Sequence, residues 1–188
     1  MCWATDWTAE ELARAIEHND AARLANDPLV IALDERVPKG LQINLGVLVA
    51  QVRRLPGHRA EIAPYYDVAQ PQEPAYVVPY FDAVRDLSDA VACNGAGRVI
   101  GNLTGRAFAL GDHAALRDAA WTDRVMVTGN LFSWFADEGR SLLIVDPNTA
   151  AREIVERGIK IIDTDDRDLA RQLARASKGP RVVFNERN

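Results

Sequence analysis

A glycine, an acid and a histidine follow one another at residues 111–113, where an apolar stretch gives way to a helical pattern. A glycine at such a corner lets the backbone approach a ligand, and the free N–H groups of the new helix favour an anion such as phosphate. The acid and the imidazole could transfer protons, while arginines nearby could hold phosphates. We therefore predict a phosphate site with catalytic candidates Asp112, His113 and Arg117, and phosphate-binding candidates Gly111, Arg98, Arg106 and Asn102. The alternative is that Asp112 only caps a helix and that His113 is an ordinary surface residue.

A second set of acidic residues is concentrated where strands are expected to end. Carboxylates at strand ends are typical of hydrolases that hold Mg²⁺, because a hard cation prefers oxygen ligands. The alternative is that the same residues form turns and begin helices, where the helix dipole favours an acid. The sequence leaves both interpretations open and does not identify the metal. The residues concerned are Asp146, Asp163, Asp165, Asp166 and Asp168.

The densest basic cluster consists of Arg53, Arg54, His58 and Arg59. A net charge of −5 argues against a protein that coats nucleic acid broadly. A local patch can nevertheless contact phosphates in an acidic protein. We expect DNA binding at the three arginines, with a strong dependence on salt. The alternative is a solvated surface that is merely rich in arginine.

Four tryptophans could stack on nucleic-acid bases: Trp3, Trp7, Trp121 and Trp134. Because no basic residues alternate with them in the sequence, packing in a core or an interface is the preferred interpretation. The aromatic group Phe132, Trp134 and Phe135 could also form a surface for a partner.

Length and composition favour one domain of 188 residues with a sizeable core, since 48% of the residues are hydrophobic. No apolar run reaches the ~18–20 residues that span a bilayer, and the N-terminus lacks the pattern of a secretory signal. The two cysteines, Cys2 and Cys93, lie far apart in the sequence, which argues against a metal knuckle and a disulfide framework. The sequence therefore predicts a soluble, cytoplasmic protein.

Helices and strands must position the candidate site residues. In the first half of the chain their pattern is the less regular. A capping-box pattern predicts a helix over 8–25, and a short apolar run predicts a strand at 29–33. Residues 41–55 alternate at first and then follow helical spacing, so we favour a helix in their second half. Four prolines in 64–79 indicate a connecting segment with one short strand at 76–78.

The second half of the sequence alternates between predicted helices and predicted strands. The first expected elements are a helix over 80–93 that stops at Asn94-Gly95, strands at 98–103 and 106–110, a helix over 112–120 with Asp112 as its N-cap, and a strand at 124–127. They are followed by strands at 141–145, 159–162 and 181–184, separated by helices over 148–157 and 165–176, the last capped by Thr164. This alternation indicates an α/β (α+β) fold with some parallel pairing.

Residues 76–128 resemble the core of the ParB/sulfiredoxin family in the order of these elements. The ParB corner is a Gly-Glu-Arg-Arg-type motif with alanines further along the helix, and this chain has Gly111-Asp112-His113-Ala114 with Ala119 and Ala120. The family's arginine is replaced by Ala114. The sulfiredoxin cysteine is absent, which excludes sulfinic-acid reduction because the nucleophilic sulfur is missing. The resemblance implies a mixed sheet with flanking helices in a single domain 1–188, with an N-terminal helical region 1–63 and a C-terminal β-α-β extension 141–184.

Within this family the chain is most similar to the plasmid fertility-inhibition factors, which block DNA transfer through type IV secretion systems. That resemblance implies an ATP-hydrolysing and DNA-cleaving phosphohydrolase with ATP as substrate. Mg²⁺ is the candidate metal, although the sequence does not identify it. It also implies DNA, nucleotide and a type IV secretion substrate or coupling protein as partners, the last at the inner face of the membrane. The alternative is a catalytically inert binding module of the same fold that inhibits secretion by occupying one of those proteins. Ala114 favours this alternative, whereas Asp112 with His113 favours the enzyme.

Overall fold

The computed structural model of the chain describes residues 28–37, 47–62, 71–82, 84, 86–177 and 179–185. Several expectations lie outside these residues: the helix at 8–25, the start of segment 41–55, segment 64–70, Cys2, Trp3 and Trp7. The chain forms two compact units, Met1–Ala107 and Phe108–Asn188. We call them the barrel unit and the α/β unit. Residues 76–128, which were expected to form one core, therefore fall in both units. In the described part, no helix is long and apolar enough to cross a membrane.

The barrel unit is built almost entirely from strands. Its elements in the described part are α1 (Pro28–Arg36), β1 (Leu48–Leu55), β2 (Arg59–Ile62), β3 (Glu73–Phe81), β4 (Leu87–Asn94) and β5 (Val99–Asn102). The strands close into a barrel in the order β1-β2-β5-β4-β3. Strands β2 and β5 pair in parallel through Arg59 and Asn102, and the other pairs are antiparallel.

Small side chains fill the barrel, because five strands enclose a narrow interior. The buried cluster consists of Ala50, Val52, Ala60, Ala75, Val77, Ala90, Ala92, Ile100 and Leu103. Residues between these positions are buried as well, among them Tyr76, Val91 and Cys93. Strands β3 and β4 are therefore buried on both faces, and polar residues do not alternate along them.

Four predictions in this unit are wrong. The connecting segment expected over 64–79, with one short strand at 76–78, contains the nine-residue strand β3. Residues 29–33 lie in helix α1, whereas a strand was expected; a short apolar run does not distinguish the two by itself. The second half of segment 41–55 is strand β1, whereas a helix was expected. The predicted helix over 80–93 is largely strand β4, and Asn94-Gly95 makes its turn into β5. A strand such as β4, which is buried on both faces, shows no period of two and so gives no strand pattern in the sequence.

The α/β unit alternates strands and helices. Its elements in the described part are β6 (Ala109–Leu110), α2 (Asp112–Thr122), β7 (Arg124–Thr128), α3 (Leu131–Ala136), β8 (Leu142–Ile144), α4 (Pro147–Glu156), β9 (Ile161–Thr164), α5 (Arg167–Ala176) and β10 (Arg181–Phe184). They form one sheet in the order β10-β9-β7-β8-β6. Strands β10, β9, β7 and β8 are parallel, and β6 is antiparallel to β8. Helices α2, α4 and α5 contribute Leu116, Ile154 and Leu173 to one buried cluster on this sheet.

The predictions for this unit are largely confirmed: helices α2, α4 and α5 and strands β7 to β10 lie where the sequence placed them. The mixture of helices and strands confirms the α/β class. Three details differ. Helix α3 was not predicted, the second strand at 106–110 is only the two residues of β6, and two helix caps are shifted by one or two positions. Gly111 caps α2, whereas Asp112 was expected, and Asp166 caps α5, whereas Thr164 was expected.

Candidate functional site at the carboxyl edge of the parallel sheet

The strand order places a topological switch point between β7 and β9. From β7 the chain passes through α3 to β8 on one side, and from β9 it passes through α5 to β10 on the other. The connections that leave these two neighbouring strands therefore run in opposite directions. Ligands of open parallel sheets bind outside the carboxyl ends of the strands at such a point. We call this place the switch-point edge and define it by Thr128–Asn130 and Thr164–Asp166.

The two loops of the switch-point edge have the same local construction. A buried threonine ends each strand, and its hydroxyl accepts a hydrogen bond from the backbone N–H two residues later: Asn130 N to Thr128 Oγ1 at 3.2 Å and Asp166 N to Thr164 Oγ1 at 3.1 Å. The side chains of Asn130 and Asp166 then cap the helices that follow. Each accepts hydrogen bonds from two backbone N–H groups of the first helical turn.

Gly129 and Asp166 bring the two loops together. A Cβ atom at Gly129 would lie 2.8 Å from Asp166 Oδ2, so a side chain at this position would collide with the carboxylate. Asp166 Oδ1 accepts from Asp168 N and Leu169 N, both at 3.0 Å, while Oδ2 is the oxygen that faces Gly129. Asp165, half-buried, lies between the threonine and the cap. The edge thus combines a glycine with two adjacent carboxylates at the ends of neighbouring parallel strands.

The other acidic residues of the predicted strand-end group have structural roles. Asp146 caps α4, accepting from Asn148 N at 3.0 Å and from Thr149 Oγ1 at 2.7 Å. Asp163 is buried and pairs with Arg124 at 2.9 Å, and it also accepts from Asn185 Nδ2. Asp168 pairs with Arg171 on the surface of α5. Among the described residues, no group of three or more His, Cys, Asp or Glu side chains could hold a metal ion.

The predicted corner at 111–113 lies at the opposite edge of the same sheet. Because β6 is antiparallel to β8, with Leu110 opposite Leu143, the chain reaches Gly111 at the amino end of β8. Gly111 has φ of 80°, and a Cβ there would lie 2.7 Å from Ser141 O. The close approach that needs this glycine is therefore to the protein's own backbone. A bulky residue at Gly111 would disturb the fold as well as any ligand.

The catalytic candidates occupy the helix that follows this corner. Asp112 is the first residue of α2, and its side chain lies outside the described part of the structure. His113 and Arg117 are exposed on the same helix, where Arg117 Nε lies 3.4 Å from Asp118 Oδ1. The phosphate-binding candidates are divided between the units: Gly111 belongs to the α/β unit, whereas Arg98, Asn102 and Arg106 belong to the barrel unit.

Within the barrel unit, Asn102 and Arg106 contribute to the loop after β5. Asn102 is buried, and its Nδ2 donates to Ala107 O at 2.6 Å. The backbone N–H of Arg106 donates to Asp89 Oδ2 at 2.8 Å. Asp89, which the sequence did not single out, is fully buried and accepts from four further backbone N–H groups, those of Ala90, Leu103, Thr104 and Ala107. Arg98 is exposed.

The three arginines predicted to bind DNA have protein partners. Arg53 Nη2 lies 2.8 Å from Glu61 Oε2, and its side chain is only 16% exposed. Arg54 pairs with Glu73, and this hydrogen bond raises the pKa of Arg54. Arg59 donates to Leu103 O at 2.6 Å. The first two also line a cavity of about 370 Å³ together with Val52, Pro71, Gln72 and Glu73. Glutamates therefore neutralise much of the positive charge of this surface.

The remaining reactive or aromatic residues separate into buried and exposed groups. Cys93 is buried in β4, and burial raises the pKa of its thiol, so it is a poor nucleophile. Trp134 is buried in α3, and its indole N–H donates to Ser141 O at 2.9 Å. Trp121, in contrast, is 89% exposed.

The chain matches no protein-family model, and no curated protein or solved structure is significantly similar to it. Function is therefore argued from the fold and from the geometry of the switch-point edge.

Proposed function

We propose that the chain is a nucleotide-binding protein whose α/β unit holds the phosphates of a nucleotide at the switch-point edge. The observation that carries this proposal is the position of Gly129 and of Asp165-Asp166 at the ends of neighbouring parallel strands whose connections diverge. Nucleotides and similar ligands bind at such points in sheets of this strand order. The predicted corner at 111–113 is the less favoured location, because it lies at the amino edge of the sheet.

The residues of the edge can do three things for such a ligand. Gly129 has no side chain, so Asp166 Oδ2 and a metal ion held by it can lie close to its backbone. Helix α5, which has ten residues, begins at the edge, and its N-terminus favours negative charge. Asp165 and Asp166 offer oxygen donors, which fit Mg²⁺ bound through one or two carboxylates together with substrate phosphates. Bound Mg²⁺ would neutralise charge on those phosphates.

Hydrolysis of ATP and cleavage of DNA form the enzymatic version of the proposal. Of the ParB/sulfiredoxin resemblance, the Gly111-Asp112 corner and the helix after it support this version, whereas the helix expected over 80–93 is strand β4. The presence of Asp165 beside the capping aspartate supports it as well. If the phosphates lie at the 111–113 corner instead, Asp112, His113 and Arg117 are the candidates for catalysis. In either location, the biological role that we propose is that of a fertility-inhibition factor acting on DNA transfer through a type IV secretion system.

A catalytically inert binding module is the second candidate. It is favoured by the hydrogen bonds that the carboxylates already make: Asp146 and Asp166 cap helices, and Asp163 pairs with Arg124. Carboxylates used in this way contribute to stability and are less available as general bases. In this version the protein would bind nucleotide and inhibit secretion by occupying a substrate or coupling protein.

Binding of Mg²⁺ and ATP by isothermal titration calorimetry tests the site. We expect Asp165→Asn to weaken Mg²⁺-dependent binding by about tenfold or more, the usual loss when a group in a metal site is removed. The matched control is Asp118→Asn, which removes an exposed carboxylate on α2 and should leave binding unchanged. If His113→Ala weakens binding and Asp165→Asn does not, the phosphates lie at the 111–113 corner.

Two assays then separate the enzyme from the inert module. Release of inorganic phosphate from ATP, and cleavage of single- and double-stranded DNA with and without Mg²⁺, are measured on the parent and on Asp165→Asn. An enzyme loses turnover by about 10²–10⁴ if the variant removes a group that acts in the reaction. Nucleotide binding without phosphate release or DNA cleavage would identify the binding module. A folded protein that binds no nucleotide would contradict both.

A further inference from the structure

Helix α2 presents an exposed row of three side chains that take no part in the switch-point edge. Its residues Ala115, Leu116 and Ala119 are buried in the core of the α/β unit. His113, Arg117 and Trp121 follow one another at intervals of four residues and are all exposed. Side chains at this spacing form a ridge along a helix, with about 6 Å of rise between successive members. We call this row the α2 ridge.

The exposure of Trp121 is the unusual feature of the ridge. Tryptophan is among the side chains that are most buried on average, yet 89% of Trp121 is exposed. The other tryptophan of the same unit, Trp134, is buried and hydrogen-bonded. The fold therefore uses one tryptophan for packing and leaves the other in solvent, where it contributes nothing to the core.

The neighbours of Trp121 indicate what kind of ligand it fits. The other exposed residues of α2 are small or polar: Ala114, Asp118, Ala120 and Thr122. A protein interface needs a continuous apolar core, which these residues do not supply. An isolated aromatic ring one helical turn from an arginine instead matches proteins that bind single strands, in which bases stack on aromatic rings and cations contact the phosphates.

The charges of the ridge allow this role. Arg117 pairs with Asp118 at 3.4 Å, and both side chains are about three-quarters exposed, at 74% and 75%. Exposed pairs of this kind contribute little stability, so Arg117 can exchange its partner for a phosphate at small cost. His113 adds a second group that can donate a hydrogen bond to a phosphate.

We propose that the α2 ridge binds single-stranded nucleic acid, with a base stacked on Trp121 and phosphates contacted by Arg117 and His113. This surface is separate from the switch-point edge. It supplies a nucleic-acid contact that does not require a basic protein, because stacking contributes affinity independently of net charge.

Fluorescence anisotropy of a labelled thymidine oligonucleotide tests the proposal on the full-length protein. We expect Trp121→Ala to weaken binding by about tenfold, since stacking of one base on an aromatic residue contributes on that scale. Trp121→Phe should retain part of the affinity. Arg117→Gln should weaken binding and reduce the slope of log K against log salt by about 0.7, the value for one phosphate contact to a single strand.

Two controls make the test specific. Arg152→Gln removes an exposed arginine of α4, which pairs with Glu156 in the same way, and should change neither affinity nor salt slope. In the other direction, Trp121→Ala should leave binding of Mg²⁺ and ATP unchanged, so a failure of the nucleotide site and a failure of the ridge are distinguishable. The proposal is overturned if the parent does not bind the oligonucleotide, or if Trp121→Ala binds it as tightly as the parent. It is also overturned if Trp121→Ala abolishes self-association and leaves oligonucleotide binding intact.

Discussion

The two units each hold a loop in place with an aspartate, but they use the carboxylate differently. In the barrel unit both oxygens of Asp89 accept hydrogen bonds. The five backbone N–H groups that donate them belong to β4 and to the loop 103–107. In the α/β unit Asp166 caps α5 with one oxygen and turns the other toward Gly129 in the neighbouring loop. Asp89 has no capacity left for a ligand, whereas Asp166 lies where a ligand of the sheet would bind.

This difference separates a structural carboxylate from a candidate functional one better than burial or charge alone. Asp89 is fully buried and Asp166 is half-buried, yet each is satisfied by backbone N–H groups. What distinguishes them is the position of the loops that they hold. The loop after β5 packs back on its own barrel, whereas the loop after β9 lies beside a parallel neighbour at a diverging connection.

The largest loss of stability is expected for Asp89→Asn. The amide that replaces one oxygen carries hydrogens, so the N–H groups of Arg106 and Ala107 would lose their acceptor in a buried place. An unsatisfied buried donor costs about 1–3 kcal/mol, and two of them predict a loss of about 2–6 kcal/mol in the free energy of unfolding. Urea denaturation followed by circular dichroism measures this loss.

A matched variant and a local probe sharpen this prediction. Asp86→Asn changes an exposed carboxylate just before β4 and should leave the denaturation midpoint within error. Hydrogen exchange should become faster in peptides that cover residues 103–107 and remain unchanged in the α/β unit. An Asp89→Asn protein as stable as the parent would show that the five hydrogen bonds do not control the barrel loop.

The sequence predicted the α/β unit well because its elements are defined locally. Its helices alternate with short apolar strands, and turn-forming residues such as Asp146-Pro147 mark where one element ends and the next begins. The barrel was predicted poorly because its strands are defined by partners that are distant along the chain. Asp89 gave no local pattern at all, since four of its five donors belong to residues 14 to 18 positions away.

The candidate site was only partly predictable for a related reason. The sequence identified both the 111–113 corner and the aspartates at strand ends, but it gave no way to choose between them. The choice depends on the direction of β6, which has two residues and pairs antiparallel with β8. A strand that short leaves no periodicity in the sequence. The exposure of Trp121 was likewise invisible, because the buried face of α2 is marked by alanines and one leucine.

An intermediate loss of stability is expected when either of two helix-capping aspartates of the α/β unit, Asp146 or Asp166, is replaced. Asp166→Ala and Asp146→Ala each remove a capping side chain, and each should lower the free energy of unfolding by about 1 kcal/mol. Only Asp166 lies at the switch-point edge, so only Asp166→Ala should also weaken binding of Mg²⁺ and ATP. Thermal denaturation measures the first effect and calorimetry the second. Equal losses of nucleotide affinity in the two variants would count against the proposed site.

The smallest effect concerns the pH dependence contributed by Cys93 in the barrel. Burial raises the pKa of this thiol in the folded protein, whereas in the unfolded chain a cysteine has a pKa of about 8.5. A raised folded pKa means that the contribution to stability is fully present below pH 8.5 and is lost as the pH rises above that value, because only the unfolded state releases the proton.

The parent is compared with Cys93→Ala so that all other titrating groups, including Cys2, cancel. The difference between the two free energies of unfolding should be constant from pH 6 to 8. At pH 9 the parent should have lost about 0.8 kcal/mol of stability relative to Cys93→Ala, the value that follows from linkage with an unfolded pKa near 8.5. A difference that stays constant to pH 9 would mean that the thiol ionises equally in both states and that the barrel opens to solvent at β4. No thiol of the α/β unit complicates the measurement, since both cysteines of the chain precede residue 108.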